Sequence, residues 1–218
     1  MAARQRAVIF DCDGVLIDSE GLASRVEAEL TRELGLNLTT DEAHDLFLGK
    51  TVDGVLATIA SRSGKTPSAT FTYNWAFATA HAFMRELQPV ADVREVIGEL
   101  RARGHPLAVA SQSPLARVRL SLDVTGLAAF FGEHLYVTSM VARPKPAPDI
   151  YVFAAEKLGV TPADCLVVED SPASAAAAQA AGFRALGFAP GETAGAMRTA
   201  GVRVISSPYE VVRLIGDA

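Results

Sequence analysis

Val8-Ile9-Phe10-Asp11-Cys12-Asp13-Gly14-Val15-Leu16-Ile17-Asp18-Ser19-Glu20 opens with an apolar run that stops abruptly at two carboxylates, two residues apart. The run reads as a buried strand over 7–11. Burying carboxylates is costly unless a cation or hydrogen-bond donors compensate. The end of a strand is also where an open α/β sheet presents its chemistry. Asp11 and Asp13 therefore point to an acidic site with a bound divalent metal. A plainer reading competes: aspartates after a strand often cap the next helix, and Asp-Gly is common turn chemistry. Three later segments weigh against it by supplying matching parts, in order. Ser111 ends a second apolar run, Leu107-Ala108-Val109-Ala110. Lys145 lies in a proline-stiffened loop, Arg143-Pro144-Lys145-Pro146-Ala147-Pro148-Asp149. Glu169 and Asp170 end a third run, Leu166-Val167-Val168.

Working outward, strands are expected near 7–11, 106–111, 166–170, 185–188 and 202–205. Each is short and apolar without clean alternation, the pattern of strands buried on both faces of a parallel sheet. Helical patterns near 92–103, 114–124, 147–159 and 171–181 separate them. Gly104, Gly126, Gly159 and Gly182 stand where helix-stop residues belong. This alternation predicts an α/β fold with a doubly wound parallel sheet. One block breaks the rhythm. From 19 to 85 the sequence offers helical patterns at 26–30, 41–47, 52–61 and 69–87 and no convincing strand. It predicts an inserted α-helical domain over 18–87, with 1–17 and 88–218 forming the α/β core. The hinges would be 14–18 and the region of Gln88-Pro89. The alanine-rich run 173–181 is a close-packed helix, since alanine is the strongest helix former.

With 218 residues the chain can bury one sizeable core, or a core domain plus a small second one. Its net charge of −5 advertises no nucleic-acid surface. An anionic substrate must be met by local donors and metal rather than by the global field. Cys12 and Cys165 lie in or beside apolar runs, and read as small buried residues of a reducing compartment. The flanking aspartates would suppress a Cys12 thiolate nucleophile. His44, His81, His105 and His134 show no paired metal spacing and read as ordinary surface or core residues. Residues 1–6 contain no apolar signal region, and no stretch is long enough to span a bilayer. The expectation is a cytoplasmic protein without membrane or nucleic-acid partners. No obvious exposed apolar helix face is apparent, so a monomer is the default.

Asp11-Cys12-Asp13-Gly14, Ala110-Ser111, Lys145-Pro146 and Glu169-Asp170-Ser171, in this order and spacing, resemble the haloacid dehalogenase superfamily of phosphohydrolases. More narrowly, the chain is similar to the branch holding β-phosphoglucomutase, phosphoglycolate phosphatase and small sugar-phosphate phosphatases. The resemblance runs from near residue 7 to about residue 189. It implies a Rossmann-like core and a small helical cap that follows the first motif and closes over the site. Phosphate-ester hydrolysis needs a nucleophile, charge neutralisation and a proton for the leaving oxygen. The resemblance implies that Asp11 attacks phosphorus to form an aspartyl-phosphate. Asp13 would protonate the leaving alkoxide and then deprotonate water. It further implies magnesium, a hard cation that keeps some of its waters. Asp11 and Asp170 would be side-chain ligands, with the Asp13 backbone carbonyl as a third. Glu169 would orient a metal-bound water, or exchange that role with Asp170. Lys145 would neutralise the Asp11 carboxylate and the phosphoryl oxygens, while Ser111 and nearby amides hold another phosphoryl oxygen. Gln112 either adds an amide donor or faces solvent from its loop.

Leu48-Gly49-Lys50-Thr51 resembles the substrate-specificity loop of these enzymes. Gly49 lets backbone approach a ligand, and Lys50 offers a charge to a sugar phosphate or phosphorylated sugar acid. The competing reading is a helix junction with an exposed lysine. Arg25 and Glu20 are further candidates to face the substrate. Ser174 replaces a glycine often found in this branch, and a helix start accepts serine. Asp13 favours phosphoryl transfer over dehalogenation, because a leaving halide needs no acid. The mutases hold a second phosphate with a His and an Arg, whose aligned positions here are Ala23 and Val52. A phosphatase acting on a small phosphorylated metabolite is therefore expected, with a hexose-phosphate mutase as the alternative. A signalling receiver would put the acidic pair on the first strand and the phosphate-accepting Asp on a later one, the reverse of this order. Gly49-Lys50-Thr51 is not a nucleotide-binding P-loop, since His44 stands where that motif needs glycine. A binding-only pseudoenzyme is disfavoured because no motif residue is missing.

Overall fold

Six strands form one parallel sheet in the order β3-β2-β1-β4-β5-β6. They are β1 (Ala7–Phe10), β2 (Leu107–Ser111), β3 (Leu135–Val137), β4 (Cys165–Glu169), β5 (Arg184–Phe188) and β6 (Arg203–Ile205). The computed structural model describes residues 6–189 and 194–216. In register, Phe10 lies beside Val109 of β2 and Val168 of β4. The Asp11 amide still donates to the Val168 carbonyl at 2.9 Å. The ladder therefore carries Asp11 to the carboxyl-end rim of the sheet before the chain turns.

Alternation along the strands sorts their side chains onto two faces. Val8, Phe10, Leu107, Val109, Leu166 and Val168 pack against α5 (Val93–Ala102), α6 (Leu115–Val124), α7 (Ala128–Phe131) and α11 (Tyr209–Leu214). Ala7, Ile9, Ala108, Ala110, Cys165 and Val167 pack against α8 (Asp149–Leu158), α9 (Pro172–Ala180) and α10 (Ala194–Thr199). Small residues dominate the second face, which accommodates the buried Tyr151 of α8 and the buried Ala175 and Ala178 of α9. Truncating a fully buried residue such as Ile9 to alanine costs about 2–5 kcal/mol. Both cysteines are buried and free.

Every expected strand is present, and β3 is an addition. It is only three residues long, too short to show a period, and is held at the sheet edge by pairing with β2. The short helices α7, α10 and α11 also lie outside the patterns read from sequence.

Between β1 and β2 come α1 (Glu20–Thr31), α2 (Thr40–Phe47), α3 (Val52–Ser63) and α4 (Ala69–Glu86). The start of α2 is a capping box. Thr39 Oγ1 accepts from the Glu42 amide at 3.2 Å, and the Glu42 carboxylate accepts from the Thr39 amide at 2.8 Å. Ala28, Ala43, Phe47, Val55, Ile59 and Phe71 form a separate apolar cluster. Phe83 and Leu87, at the far end of α4, pack into the sheet cluster instead. The two connections to the sheet run side by side: the Asp18 amide donates to Gln88, and the Val90 amide to Leu16, each at 3.0 Å.

One expectation is overturned. The outer face of α4 exposes Tyr73 (69%), Phe77 (63%) and Met84 (57%). The Tyr73 and Phe77 rings stack with centroids 6.4 Å apart. Phe71, Thr79, Ala82 and Phe83 fill the inner face of α4, so these large side chains are left outside. An absence of apolar surface thus no longer argues for a monomer. No helix among the described residues is long and apolar enough to cross a membrane.

Candidate active site

β1 is flanked by β2 and β4, and the chain leaves β1 toward one side of the sheet and later returns to the other. Such a switch point opens a crevice at the carboxyl ends of the strands. The crevice here is the floor of a cavity of about 900 Å³ whose walls include Ser24 and Trp75 from the helical insertion. Asp11, Ser111, Glu169 and Asp170 reach it from the ends of β1, β2 and β4.

Lys145 is buried at the centre. Its Nζ donates to Asp11 Oδ1 at 2.7 Å, to the Ala110 carbonyl at 2.7 Å and to Glu169 Oε1 at 2.5 Å. These contacts use all three ammonium donors. The Tyr151 hydroxyl donates to the same Glu169 oxygen at 2.6 Å. Burial alone would lower the Lys145 pKa, but Asp11 and Glu169 outweigh it and hold the ammonium well above its ordinary value.

Asp11, Glu169 and Asp170 each place a carboxylate oxygen within 4.8 Å of the others. Burial raises the Asp11 pKa to about 7, with Lys145 opposing and Glu169 adding to the rise. Burial, and then the charges of Asp11, Glu169 and Glu20, push Asp170 well above the usual carboxylate range. Three carboxylates face one ammonium, so two negative charges stand uncompensated when all are ionised. An all-oxygen donor set with that deficit fits a hard divalent cation. Gly14 makes room for the Asp170 carboxylate. Its φ is +74°, and a Cβ there would lie 2.3 Å from Asp170 Oδ2.

Asp13 belongs to a different set. Its carboxylate accepts from Ser19 Oγ at 2.5 Å, Ser113 Oγ at 2.8 Å and an Arg117 NH2 group at 3.0 Å. Burial works to raise its pKa, but the Arg117 charge and these hydrogen bonds outweigh burial and lower it. Its side chain stands outside the three-carboxylate group. The Arg117 guanidinium lies 4.9 Å over the Phe83 ring, and its buried Nε has no hydrogen-bond partner. The Cys12 thiol is pushed well above its usual pKa by burial and then by Asp13 and Asp11, which leaves it inert.

Ser111, Gln112, Gly49 and Lys50 all line the cavity. Ser111 is buried and its Oγ accepts from the Ser113 amide at 3.0 Å. Gln112 Nε2 donates to the Gly49 carbonyl at 2.9 Å, joining the β2 end to the α2–α3 loop. Lys50 Nζ donates to Thr58 Oγ1 at 3.0 Å. Glu20 lines the cavity, whereas Arg25 does not. Arg25 pairs with Glu86 at 2.7 Å, because it sits about 100° around α1 from its neighbour Ser24, which faces the cavity. His44 also lines the cavity and meets Ser24 Oγ at 3.4 Å, a position its sequence spacing does not disclose. The amide of Ser174 donates to the Ser171 cap at 3.4 Å, so serine is accommodated there. Ala23 and Val52 line the cavity and offer it no polar side-chain group.

Sequence reasoning passed over Ser19, Glu27, Ser113, Arg117 and Tyr151. Arg117 had the clearest signal, as a basic residue in the first turn of the helix that follows the Ser111 strand end.

Known proteins resemble this chain over most of its length. The family of haloacid dehalogenase-like hydrolases matches residues 5–182. Hexitol phosphatase B of Escherichia coli is 32% identical over 182 residues, covering 83% of this chain and 82% of the relative. The 6-phosphogluconate phosphatase of Escherichia coli is 27% identical over 187 residues, covering 85% and 83%. A longer relative from Arabidopsis thaliana is spanned over only 17% of its length. Among solved structures, a HAD family hydrolase from Deinococcus radiodurans R1 with bound phosphate and sodium is 38% identical, with a TM-score of 0.76 over 96% of this chain and 94% of that one. A lysine clamped between carboxylates at the end of a parallel sheet, and likeness to phosphatases along most of the chain, converge: the chain belongs to the haloacid dehalogenase-like hydrolases and is a phosphoric monoester hydrolase.

Proposed function

We propose that the protein is a magnesium-dependent phosphatase of a small phosphorylated sugar or polyol, working through an aspartyl-phosphate. The observation that carries this reading is the Lys145 clamp on Asp11 and Glu169, beside Asp170, on the floor of the cavity. Magnesium held by Asp11, Glu169 and Asp170, with the Asp13 carbonyl as a further ligand, would neutralise charge on the phosphoryl oxygens.

The chain's own residues supply the rest. An Asp11 carboxylate oxygen attacks phosphorus, forming an acyl-phosphate bond as the ester P–O bond breaks. The leaving oxygen takes a proton from Asp13. The Asp13 carboxylate then takes a proton from water, whose oxygen attacks phosphorus and releases phosphate with Asp11 restored. Ser19, Ser113 and Arg117 hold Asp13 ionised, the form that activates water. To act as an acid it must first gain a proton and give up the Arg117 contact. Lys145 fixes the aim of Asp11 and screens two like charges as they meet. Ser111 and neighbouring amides seat a phosphoryl oxygen, while Gln112, Gly49 and Lys50 face the alcohol.

We read residues 18–87 as a cap that opens and closes over a core of 1–17 and 88–218, hinged where the two connections run side by side. A cytoplasmic location accords with this metabolite chemistry. A mutase would need donors for a second phosphate, and Ala23 and Val52 provide none. The test is magnesium-dependent turnover on phosphorylated sugars, polyols, sugar acids and glycolate, including β-glucose 1-phosphate, with phosphate and isomer both measured. Metal-dependent phosphate release without isomerisation is expected. Glucose 6-phosphate formed without phosphate release would overturn it.

A further inference from the structure

The walls of the cavity carry eight carboxylates against three cationic side chains. Two of those cations are committed, Lys145 to Asp11 and Glu169, and Arg117 to Asp13. The third, Lys50, is exposed and engaged with Thr58. Away from the phosphate end, the cavity therefore lacks a buried, uncommitted cation for a second anionic group.

It offers hydroxyl-binding groups instead. The carboxylate of Glu27, on the cavity face of α1, makes no hydrogen bond or ion pair among the described residues and lies within the field of Arg117. Arg117 keeps its buried Nε donor without a partner. An unpaired acceptor and an unpaired donor, one from each side of the cavity, match the alternating needs of hydroxyl groups. Above about pH 7, where Glu27 is ionised, a substrate carboxylate would instead meet it as a like charge, which costs affinity in a partly desolvated site.

We propose that Glu27 and Arg117 are specificity residues that select phosphate esters of neutral polyhydroxylated alcohols and reject esters bearing a second anionic group. This rests on the phosphatase reading and sharpens it. Relatives named for hexitol phosphates and for 6-phosphogluconate resemble the chain comparably, so likeness does not choose between the two classes, whereas the charge of the cavity wall does.

The decisive pair is sorbitol 6-phosphate and 6-phosphogluconate, which differ only in a terminal hydroxymethyl against a carboxylate. With magnesium at about pH 8, where Glu27 is ionised, the wild-type protein should favour the sorbitol ester by at least about tenfold in kcat/KM. Glu27→Gln should shrink that ratio to about threefold or less, chiefly through a lower KM for 6-phosphogluconate, while Glu27→Asp keeps the direction of the preference. Hydrolysis of p-nitrophenyl phosphate with equal use of the pair, or a preference for the acid, would overturn the inference and leave the phosphatase reading standing. An unchanged ratio in a Glu27→Gln protein that melts cooperatively would remove Glu27 from the role. Failure to hydrolyse any ester, p-nitrophenyl phosphate included, would overturn the phosphatase reading and the inference with it. The wild-type comparison needs no variant to fold.

Discussion

Asp11 and Asp13 are the same residue type two positions apart, yet their surroundings drive them in opposite directions. Asp11 is raised to about 7 by burial among other carboxylates, whereas Arg117 and two serines lower Asp13 against its burial. Divergent environments of this kind separate a nucleophile from an acid–base group. Asp11→Asn keeps the shape and leaves Lys145 its contact with Glu169, so the fold should persist. Its turnover should fall by roughly three orders of magnitude or more, the scale of a lost nucleophile. Phosphate release beside a melting curve checks both, and near-normal turnover would remove Asp11 as nucleophile. Arg117→Met takes away the charge that lowers Asp13, so the Asp13 pKa must rise. With an aryl phosphate, whose leaving group needs little proton donation, the acidic limb of kcat against pH reports Asp13 as base. That limb should move to higher pH in Arg117→Met; a limb that stays in place would separate Arg117 from the acid–base step.

At the scale of elements, the turn after β1 has to do two things at once. It must reverse the chain toward the insertion and leave space for Asp170. Gly14 meets both needs, having φ +74° and no Cβ to strike Asp170 Oδ2 at 2.3 Å. Gly14→Ala should therefore displace the proposed metal ligand Asp170 and raise the magnesium concentration for half-maximal activity by about 10–100-fold, the range for disturbed ligand support. A metal titration of activity reads this directly, and an unchanged midpoint would mean that Asp170 does not bind the metal. The same elements show what the sequence made legible. β1, β2 and β4 announced themselves because each is an apolar run that ends in a polar group at the rim, a conjunction of strand and chemistry within a few residues. The edge strand β3 did not, since three residues carry no period and only pairing with β2 makes them a strand. Arg117, Glu27 and Tyr151 were illegible for a different reason. Asp13 is 104 residues from Arg117, Arg117 is 90 from Glu27 and Glu169 is 18 from Tyr151, and only the tertiary fold brings α1 and α6 around one cavity and sets α8 against Glu169. Arg25 was misplaced by one helical position, which on α1 is enough to turn a side chain from the cavity to Glu86.

Across the whole molecule, the acidic cavity sets how stability responds to pH and metal. Asp11 and Glu27 are both raised to about 7, from ordinary values of 3.8 and 4.5, chiefly by burial, and Asp170 is raised well above its ordinary 3.8. Between about pH 4 and pH 7 the folded protein thus holds protons that the unfolded chain has released. Stability must then fall as pH rises through that window, because the unfolded state binds fewer protons. Asp13 and Lys145 do not offset this. The lowered Asp13 acts below its ordinary 3.8 and the raised Lys145 above its ordinary 10.5. Metal-free protein should therefore melt at a lower temperature at pH 8 than at pH 5. On the proposed reading, magnesium would bind the ionised cluster and reverse much of that loss. At a hundred times its Kd a ligand adds about 2.7 kcal/mol, which for a chain of this size is roughly 5–10 °C in Tm. Asp170→Asn should flatten the pH slope of the metal-free protein and also abolish the magnesium-induced rise. Melting curves at pH 5 and 8, with EDTA and with magnesium, make the comparison. A metal-free Tm that climbs from pH 5 to pH 8, or an Asp170→Asn protein that still gains the full magnesium shift, would break the link between the buried carboxylates and the cation.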